Sequence, residues 1–342
     1  MVLPHPIRPA IVPNRRNPVS KLPMKNQTTW VLTEGMAGMV TQAVGLAEAV
    51  GLPFEQKTIT LRAPWRWLPP RFWPQGTLGL APSSDPLTPP WPDLVISCGR
   101  KSVGPALAVK HRSGGKCFAV HIQNPHVPSR AFDLIVAATH DGLIGDNVVV
   151  TRSALHRTTP ARLKAEGMAY TDVLATRPRP LIAVLVGGPN RVYHMTPEII
   201  TDFASKLTAF AKTTGGSLAV TPSRRTGADN VAALQAGLKD SDAVIWDGTG
   251  DNPYFGYLAH ADQIVVTCDS VSMVSEACAT GKPVYVFDLP GGGKKFRLFH
   301  DGLREQGVTR AFTGAPDDWQ YEPFDDTASV AAEIRKRMAS AA

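Results

Sequence analysis

Short apolar runs, each ending in a small polar turn and followed by helical spacing, recur along this chain in two series. Parallel sheets covered on both faces by helices accommodate such a pattern. The first series opens with Thr29-Trp30-Val31-Leu32, a loop containing Gly35 and Gly38, and a helix expected from about Val40 to Val50. Further strands are expected at Thr58-Ile59-Thr60, Asp93 to Ile96, Phe118 to His121, Leu134 to Val136 and Val148 to Val150, with a helix from Pro105 to His111. The second series opens with Leu181 to Val186 and Gly187-Gly188. It continues through a helix (Pro197 to Lys212), a strand (Ser217 to Val220), a helix (Asp229 to Leu238) and strands at Ala243 to Trp246, Ile264 to Val266 and Val284 to Phe287. The spacing therefore predicts an α/β chain of two doubly wound, Rossmann-like domains facing a central cleft. Ligand is expected at the carboxyl ends of their strands.

A length of 342 residues suffices for two such cores. The expected division is a first domain at 28–165, a linker at 166–180 that includes Arg177-Pro178-Arg179-Pro180, a second domain at 181–325, and a last helix in 326–342 packing back across the domains. Residues 1–27 carry Pro4, Pro6, Pro9, Pro13, Pro18 and Pro23 among basic residues, and the first acidic residue is Glu34. This reads as a disordered basic tail, because proline at that density opposes the amphipathic helix of a transit peptide. No run of 18 apolar residues occurs. Cys98, Cys117, Cys268 and Cys278 form no C-x-x-C pair and read as reduced, buried thiols of a cytoplasmic protein. Neither they nor any H-x-x-x-H pair suggests a metal site. A net charge of +7 favours anionic partners without choosing among sugar nucleotides, acidic lipids and nucleic acid.

The most chemically suggestive stretch runs from Thr267 to Cys278. An apolar strand delivers the chain into Asp269-Ser270, and helical spacing begins at Val271 and Ser272. The unpaired N–H groups and dipole at such a helix start suit phosphate oxygens, and Glu276 further along suits ribose hydroxyls. A plain N-cap by Asp269 or Ser270 with a solvated Glu276 is the competing interpretation. Gly187 and Gly188 permit a close backbone approach or a simple tight turn. Arg224 and Arg225 follow another strand end, where a guanidinium fork suits a diphosphate. Gly291-Gly292-Gly293-Lys294-Lys295 adds a flexible basic loop.

In the first domain, Glu34-Gly35-Met36-Ala37-Gly38-Met39 lacks the third glycine of a dinucleotide fingerprint. Ser97 to Ser102, Gln123-Asn124-Pro125 and His140-Asp141 also follow expected strands, and His140 beside Asp141 suits a proton carrier. His121 and His126 are weaker candidates. Four of the seven tryptophans fall between residues 65 and 91, and Trp65, Trp67 and Trp73 are interleaved with arginine. That composition suits an anionic membrane or lipid-like acceptor, single-stranded nucleic acid, or simply a loop packing on the domain. No nucleic-acid module is recognisable.

Several of these motifs occur together and in order. Gly35-x-x-Gly38 with Gln42 and Gly45-Leu46-Ala47, Ser97 to Ser102, Phe132-Asp133 with His140-Asp141, Gly187-Gly188-Pro189, Ser223 to Thr226, Asn252-Pro253-Tyr254 and Asp269 to Pro283 resemble a bacterial member of the mitochondrial-fission family named for the plant elongated-mitochondria protein. The resemblance covers roughly residues 28 to 313. More distantly, the second half is similar to GT-B glycosyltransferases, especially the N-acetylglucosaminyltransferase of the lipid-linked peptidoglycan precursor. That similarity implies a GT-B-like fold, a ribose contact at Glu276 and a diphosphate contact at Asp269, Ser270, Val271 and Ser272. It places Met39 where the related enzyme keeps a histidine base, so the base is expected among Glu34, His140 and Asp141.

The expected function is metal-independent, nucleotide-sugar-dependent glycosyl transfer to a cell-envelope or lipid-linked acceptor. A UDP-sugar-type donor would serve as substrate, without a tightly bound cofactor, in a cytoplasmic protein peripheral at the inner face of the membrane. A non-catalytic recruiting scaffold with a protein partner, or a nucleoside-diphosphate-sugar epimerase, remains the alternative.

Overall fold

The computed structural model describes residues 27–73 and 78–341; all but the last residue of the expected basic tail, 1–27, lies outside the described residues, as do 74–77 and 342. The first domain contains β1 (Thr29–Thr33), α1 (Ala37–Val50), β2 (Phe54–Thr58), β3 (Leu94–Cys98), α2 (Val103–Arg112), β4 (Phe118–Ile122), β5 (Leu134–Ala138) and β6 (Val148–Thr151). Helices α3 (Pro160–Met168) and α4 (Thr171–Leu174) lead into the second domain. There follow β7 (Leu181–Val186), α5 (Pro197–Thr214), β8 (Ser217–Pro222), α6 (Ala228–Leu238), β9 (Ala243–Ile245), α7 (Tyr254–His260) and β10 (Gln263–Thr267). The chain ends with α8 (Val271–Cys278), β11 (Val284–Phe287), α9 (Lys294–Glu305), β12 (Thr309–Ala311) and α10 (Asp326–Ala341).

Each domain is built on a six-stranded parallel sheet, in the orders β2-β1-β3-β4-β5-β6 and β12-β11-β10-β7-β8-β9. Central strands are apolar along their length because helices cover both faces: all six residues of β7 are buried, and it pairs in parallel with β10 at Val184↔Val265. In the second sheet the winding reverses between β7 and β10, which opens a crevice beyond their carboxyl ends. The corresponding reversal in the first sheet lies between β1 and β3.

The expected strand at Thr58 to Thr60 instead occupies Phe54–Thr58, and β12 adds a three-residue edge that the sequence pattern does not reveal. Both lie at sheet edges, where polar residues and short strands are favoured. Within β2, Lys57 is buried, 4.4 Å from the Trp30 ring centroid and 2.7 Å from Glu55 Oε1. Helix α3 runs into the stretch read as linker and packs on α7: His260 Nε2 lies 2.8 Å from the Gly167 carbonyl.

Helix α10 returns to the first domain, where Val330, Ala331, Ile334 and Met338 share a core with Val31, Ala43 and Leu46. At its start, Asp326 Oδ2 accepts hydrogen bonds from the N–H groups of Arg152 (2.8 Å) and Ser153 (2.9 Å), and Thr327 Oγ1 accepts from His156 N (3.0 Å). The two chain crossings between domains are thus fastened together, and they hold the sheets around one cleft.

Candidate functional site

The loops after β7 and β10 meet at the crevice of the second sheet, but Asp269 points inward. Its carboxylate accepts hydrogen bonds from Gly188 N (3.0 Å), Thr267 Oγ1 (2.7 Å) and Arg225 Nη2 (2.8 Å), and its side chain has no exposed surface. Thr267 Oγ1 in turn accepts from Gly187 N at 2.8 Å, while Arg225 Nη1 donates to the Gly188 carbonyl at 3.0 Å. A methyl group at Gly187 would overlap both carboxylate oxygens of Asp269, and one at Gly188 would overlap the Arg225 backbone. Glycine therefore serves a close approach of protein to protein at these two positions. Of the residues expected to hold phosphate, Gly187, Gly188, Arg225 and Asp269 form a framework that fixes the turn. Arg224 is exposed beside them.

The turn so fixed leads into α8, where Ser270 takes the N-cap position and its hydroxyl accepts from Met273 N at 3.4 Å. The N–H groups of Val271 and Ser272 precede any possible helical acceptor and face away from the helix body. Opposite them lies the start of α1: a β-carbon on Gly38 would sit 3.1 Å from Ser272 Oγ. Met36 caps α1 with no side-chain hydrogen bond, and its first turn carries no acid. Two helix N-termini, one from each domain, therefore bring their positive ends together.

Glu276 lies one turn deeper on α8 and is 6% exposed. Its Oε2 accepts a hydrogen bond from Tyr254 Oη at 2.6 Å. Burial pushes its carboxyl up from 4.5 to about 7, against opposing pulls from the Tyr254 hydrogen bond and the positive charges of Arg162 and Arg157. Burial and the Glu276 charge push the Tyr254 phenol well above its ordinary value, so it remains a donor. Asn252 shapes this approach through an Asx turn, its Oδ1 accepting from Tyr254 N at 3.0 Å.

Between the domains is a cavity of about 300 Å3, lined by Gln42, Gln123, Asn124, His126 and Asp141 from the first domain and by Val271, Lys295 and Phe296 from the second. Gln123 (φ 83°) and His126 (φ 55°) both adopt left-handed backbone conformations. Such conformations in non-glycine residues recur at functional sites. The sequence marks Gln123 only as following a strand and His126 as a weaker candidate; the left-handed backbone at both is not legible there.

The proposed acid–base residues are dispersed. Asp141 reaches the cavity, but its Oδ1 is 2.6 Å from Lys295 Nζ. Glu34 is held by Lys101, whose Nζ is 2.7 Å from Oε2 and whose backbone N donates to Oε1 at 3.1 Å. The side chain of His140 lies outside the described residues; its backbone forms a short 3-10 turn with Thr139 and Asp141. Met39 packs its thioether over Gly99.

The tryptophans also divide. Trp65 and Trp73 are half-buried against Gly79 and Gly104, and Trp73 Nε1 donates to the Leu68 carbonyl at 2.9 Å. Arg100, just beyond β3, donates to the carbonyls of Arg66 and Leu68, which holds this loop at the carboxyl end of the first sheet. Trp67 is 65% exposed, with the Arg66 guanidinium 4.4 Å from its ring centroid. Among the described residues, no group of three or more His, Cys, Asp or Glu is placed to hold a metal ion, and no helix is long and apolar enough to cross a membrane.

Comparison with known proteins agrees with this architecture. A family model described as mitochondrial fission ELM1 matches residues 37–338. The Arabidopsis thaliana mitochondrial fission protein ELM1 is 34% identical over 276 residues, covering 73% of this chain and 64% of the plant protein. The chain thus spans just under two thirds of that relative's length. Among solved structures, UDP-GlcNAc 2-epimerase from Methanocaldococcus jannaschii aligns with a TM-score of 0.57 at 12% identity, covering 92% of this chain and all (100%) of that one. A structure of Methanocaldococcus jannaschii UDP-GlcNAc 2-epimerase in complex with UDP-GlcNAc and UDP aligns with a TM-score of 0.51 at 12% identity, with coverages of 92% and 100%. The two facing, doubly wound sheets form the GT-B-like fold that the sequence predicts.

Proposed function

The chain belongs to the mitochondrial fission ELM1 family, and from that membership and the cleft geometry we propose that it is a nucleotide-sugar-dependent glycosyltransferase of GT-B type, acting on a cell-envelope or lipid-linked acceptor. The observation that carries this reading is the meeting of the α1 and α8 N-termini with a buried carboxylate one turn behind. A nucleoside diphosphate has the matching charge pattern: anionic oxygens for the helix starts and ribose hydroxyls for Glu276. The UDP complex of a fold neighbour supports a UDP-sugar-type donor.

In this reading Val271 and Ser272 donate to the diphosphate, and Arg224 adds a mobile positive charge near it. Fixed donors aimed at the leaving group stabilise the charge that develops as the sugar–phosphate bond breaks. No metal is assigned a role. The acceptor occupies the first-domain side of the cavity between the domains, where Asp141 is the acid–base candidate that reaches it.

Thermal shift and calorimetry with UDP, UDP-sugars and other nucleotides provide the test, followed by incubation with lipid extracts. Binding of UDP and transfer of sugar to lipid are expected; no nucleotide binding would sink the proposal. Conversion of UDP-GlcNAc without any acceptor would instead identify an epimerase, the activity that the fold neighbours' names state. A second reading, a non-catalytic recruiting protein, is favoured by Met39 over Gly99 and by the ion pairing of Glu34 and Asp141. Nucleotide binding with neither product, together with a stable protein partner, would select it.

Membrane contact is proposed at Trp67, whose exposed ring and neighbouring arginine suit an anionic headgroup layer. Trp67→Ala should lower flotation with anionic liposomes and leave the melting temperature unchanged. Trp65→Ala and Trp73→Ala should lower the melting temperature, since those rings pack on the domain. Equal flotation of Trp67→Ala and wild type would remove this surface from consideration.

A further inference from the structure

We propose that Lys295 is a ligand of the donor diphosphate and that the Asp141 carboxylate occupies its place until the donor arrives. This rests on the proposed function and adds to it a switch between the two domains.

Helix α9 begins with Lys294 and Lys295, reaches Arg297 within its first turn, and has no acidic residue there. Cations at this end face the positive pole of a 12-residue helix, the opposite of the favourable arrangement. The preceding Gly291 and Gly292 both have φ of 105°, so the loop brings the helix start to the cleft through a backbone path that side chains rarely permit. The anion that meets this end is Asp141, contributed by the other domain, with Nζ and Oδ1 2.6 Å apart.

The two partners differ sharply in exposure: the Asp141 side chain is 5% exposed and that of Lys295 64%. Asp141 is covered, whereas Lys295 hangs on a solvated, flexible stem and can change partners. The exposed ammonium stays hydrated whichever partner it holds, and a diphosphate offers it more charge than a carboxylate does. Lys295 also shares its cavity with Val271, the first residue of α8, which places it beside the helix start proposed to hold the diphosphate.

Exchange of Asp141 for phosphate releases a carboxylate into the acceptor cavity at the moment the donor is bound. The acceptor hydroxyl then gives its proton to Asp141 and its oxygen bonds to the anomeric carbon. The anomeric carbon–phosphate oxygen bond breaks, and its electron pair leaves on the diphosphate held by Lys295 and the α8 N–H groups. With no donor present, Asp141 stays paired and the acceptor is not activated.

Affinities of UDP and uridine for wild type, Lys295→Met, Lys295→Arg and Asp141→Asn test the exchange, with melting curves confirming that each variant folds. Lys295→Met should weaken UDP about tenfold and leave uridine unaffected, and Lys295→Arg should restore most of the UDP affinity. Asp141→Asn should tighten UDP several-fold, because a competing anion is removed, while sugar transfer is lost. Wild type that binds UDP with an affinity indifferent to Lys295, or an Asp141→Asn variant that binds UDP more weakly, would overturn the exchange and leave the proposed function standing. Wild type that binds no UDP would overturn both.

Discussion

Asp269→Ala is expected to lower the unfolding free energy by about 3–5 kcal/mol, the range for breaking a buried charge-assisted network. The carboxylate receives a backbone N–H, a threonine hydroxyl and a guanidinium, all within 3.0 Å. Its removal strands Gly188 N in a space that water enters poorly. The loss propagates: Thr267 Oγ1 also receives Gly187 N, so both glycine loops lose their anchor. Urea denaturation of Asp269→Ala and Asp269→Asn measures the effect, and Asn should recover part of it by keeping an acceptor for Gly188. Arg225 is the telling partner, since its side chain is 45% exposed while that of Asp269 is wholly covered. A double-mutant cycle should show that the two substitutions are strongly non-additive. A destabilisation below about 1 kcal/mol in Asp269→Ala, the size of an ordinary substitution, would refute the network's structural role.

Asp269 also shows where the sequence stops being legible. The strand–turn–helix from Ile264 to Cys278 follows from local spacing, and the structure has it at that place. Which way the Asp269 side chain faces depends on Gly187 and Gly188, some 80 residues away, and on an arginine from a third loop. Central strands such as β7 announce themselves because both faces are buried. Strand β2, with Glu55, Gln56 and Lys57 at a sheet edge, carries no such signature. The pairing of Asp141 with Lys295 depends on how two domains are set against each other across 154 residues, which no local pattern encodes. Likewise, the aromatic composition of residues 65–73 is plain, but its loop has no period of 2 or 3.6 to say that Trp67 faces out while Trp65 and Trp73 face in.

Glu276→Gln should affect binding and stability in opposite directions. Ribose hydroxyls donating to a buried carboxylate make charge-assisted hydrogen bonds, so the amide should weaken UDP by roughly 10–100-fold. Folding responds the other way. The folded carboxyl titrates at about 7 and the ordinary one at 4.5, so between those values the folded chain holds a proton that the unfolded chain has released. Stability therefore falls as pH rises through that window, and the full penalty, on the order of 3 kcal/mol, is present above it. Glutamine carries no charge to bury and still accepts from Tyr254, so the variant should be more stable than wild type at pH 8 and lose its advantage at pH 5. Wild-type UDP affinity should also rise more steeply between pH 6 and 8 than that of the variant, because only wild type gains a carboxylate there; phosphate ionisation is common to both and cancels in the comparison. Calorimetry and urea denaturation across that range read both effects. Unchanged UDP affinity would take Glu276 out of the nucleotide site, whereas parallel losses of binding and stability would reduce it to a structural residue whose removal perturbs the cleft.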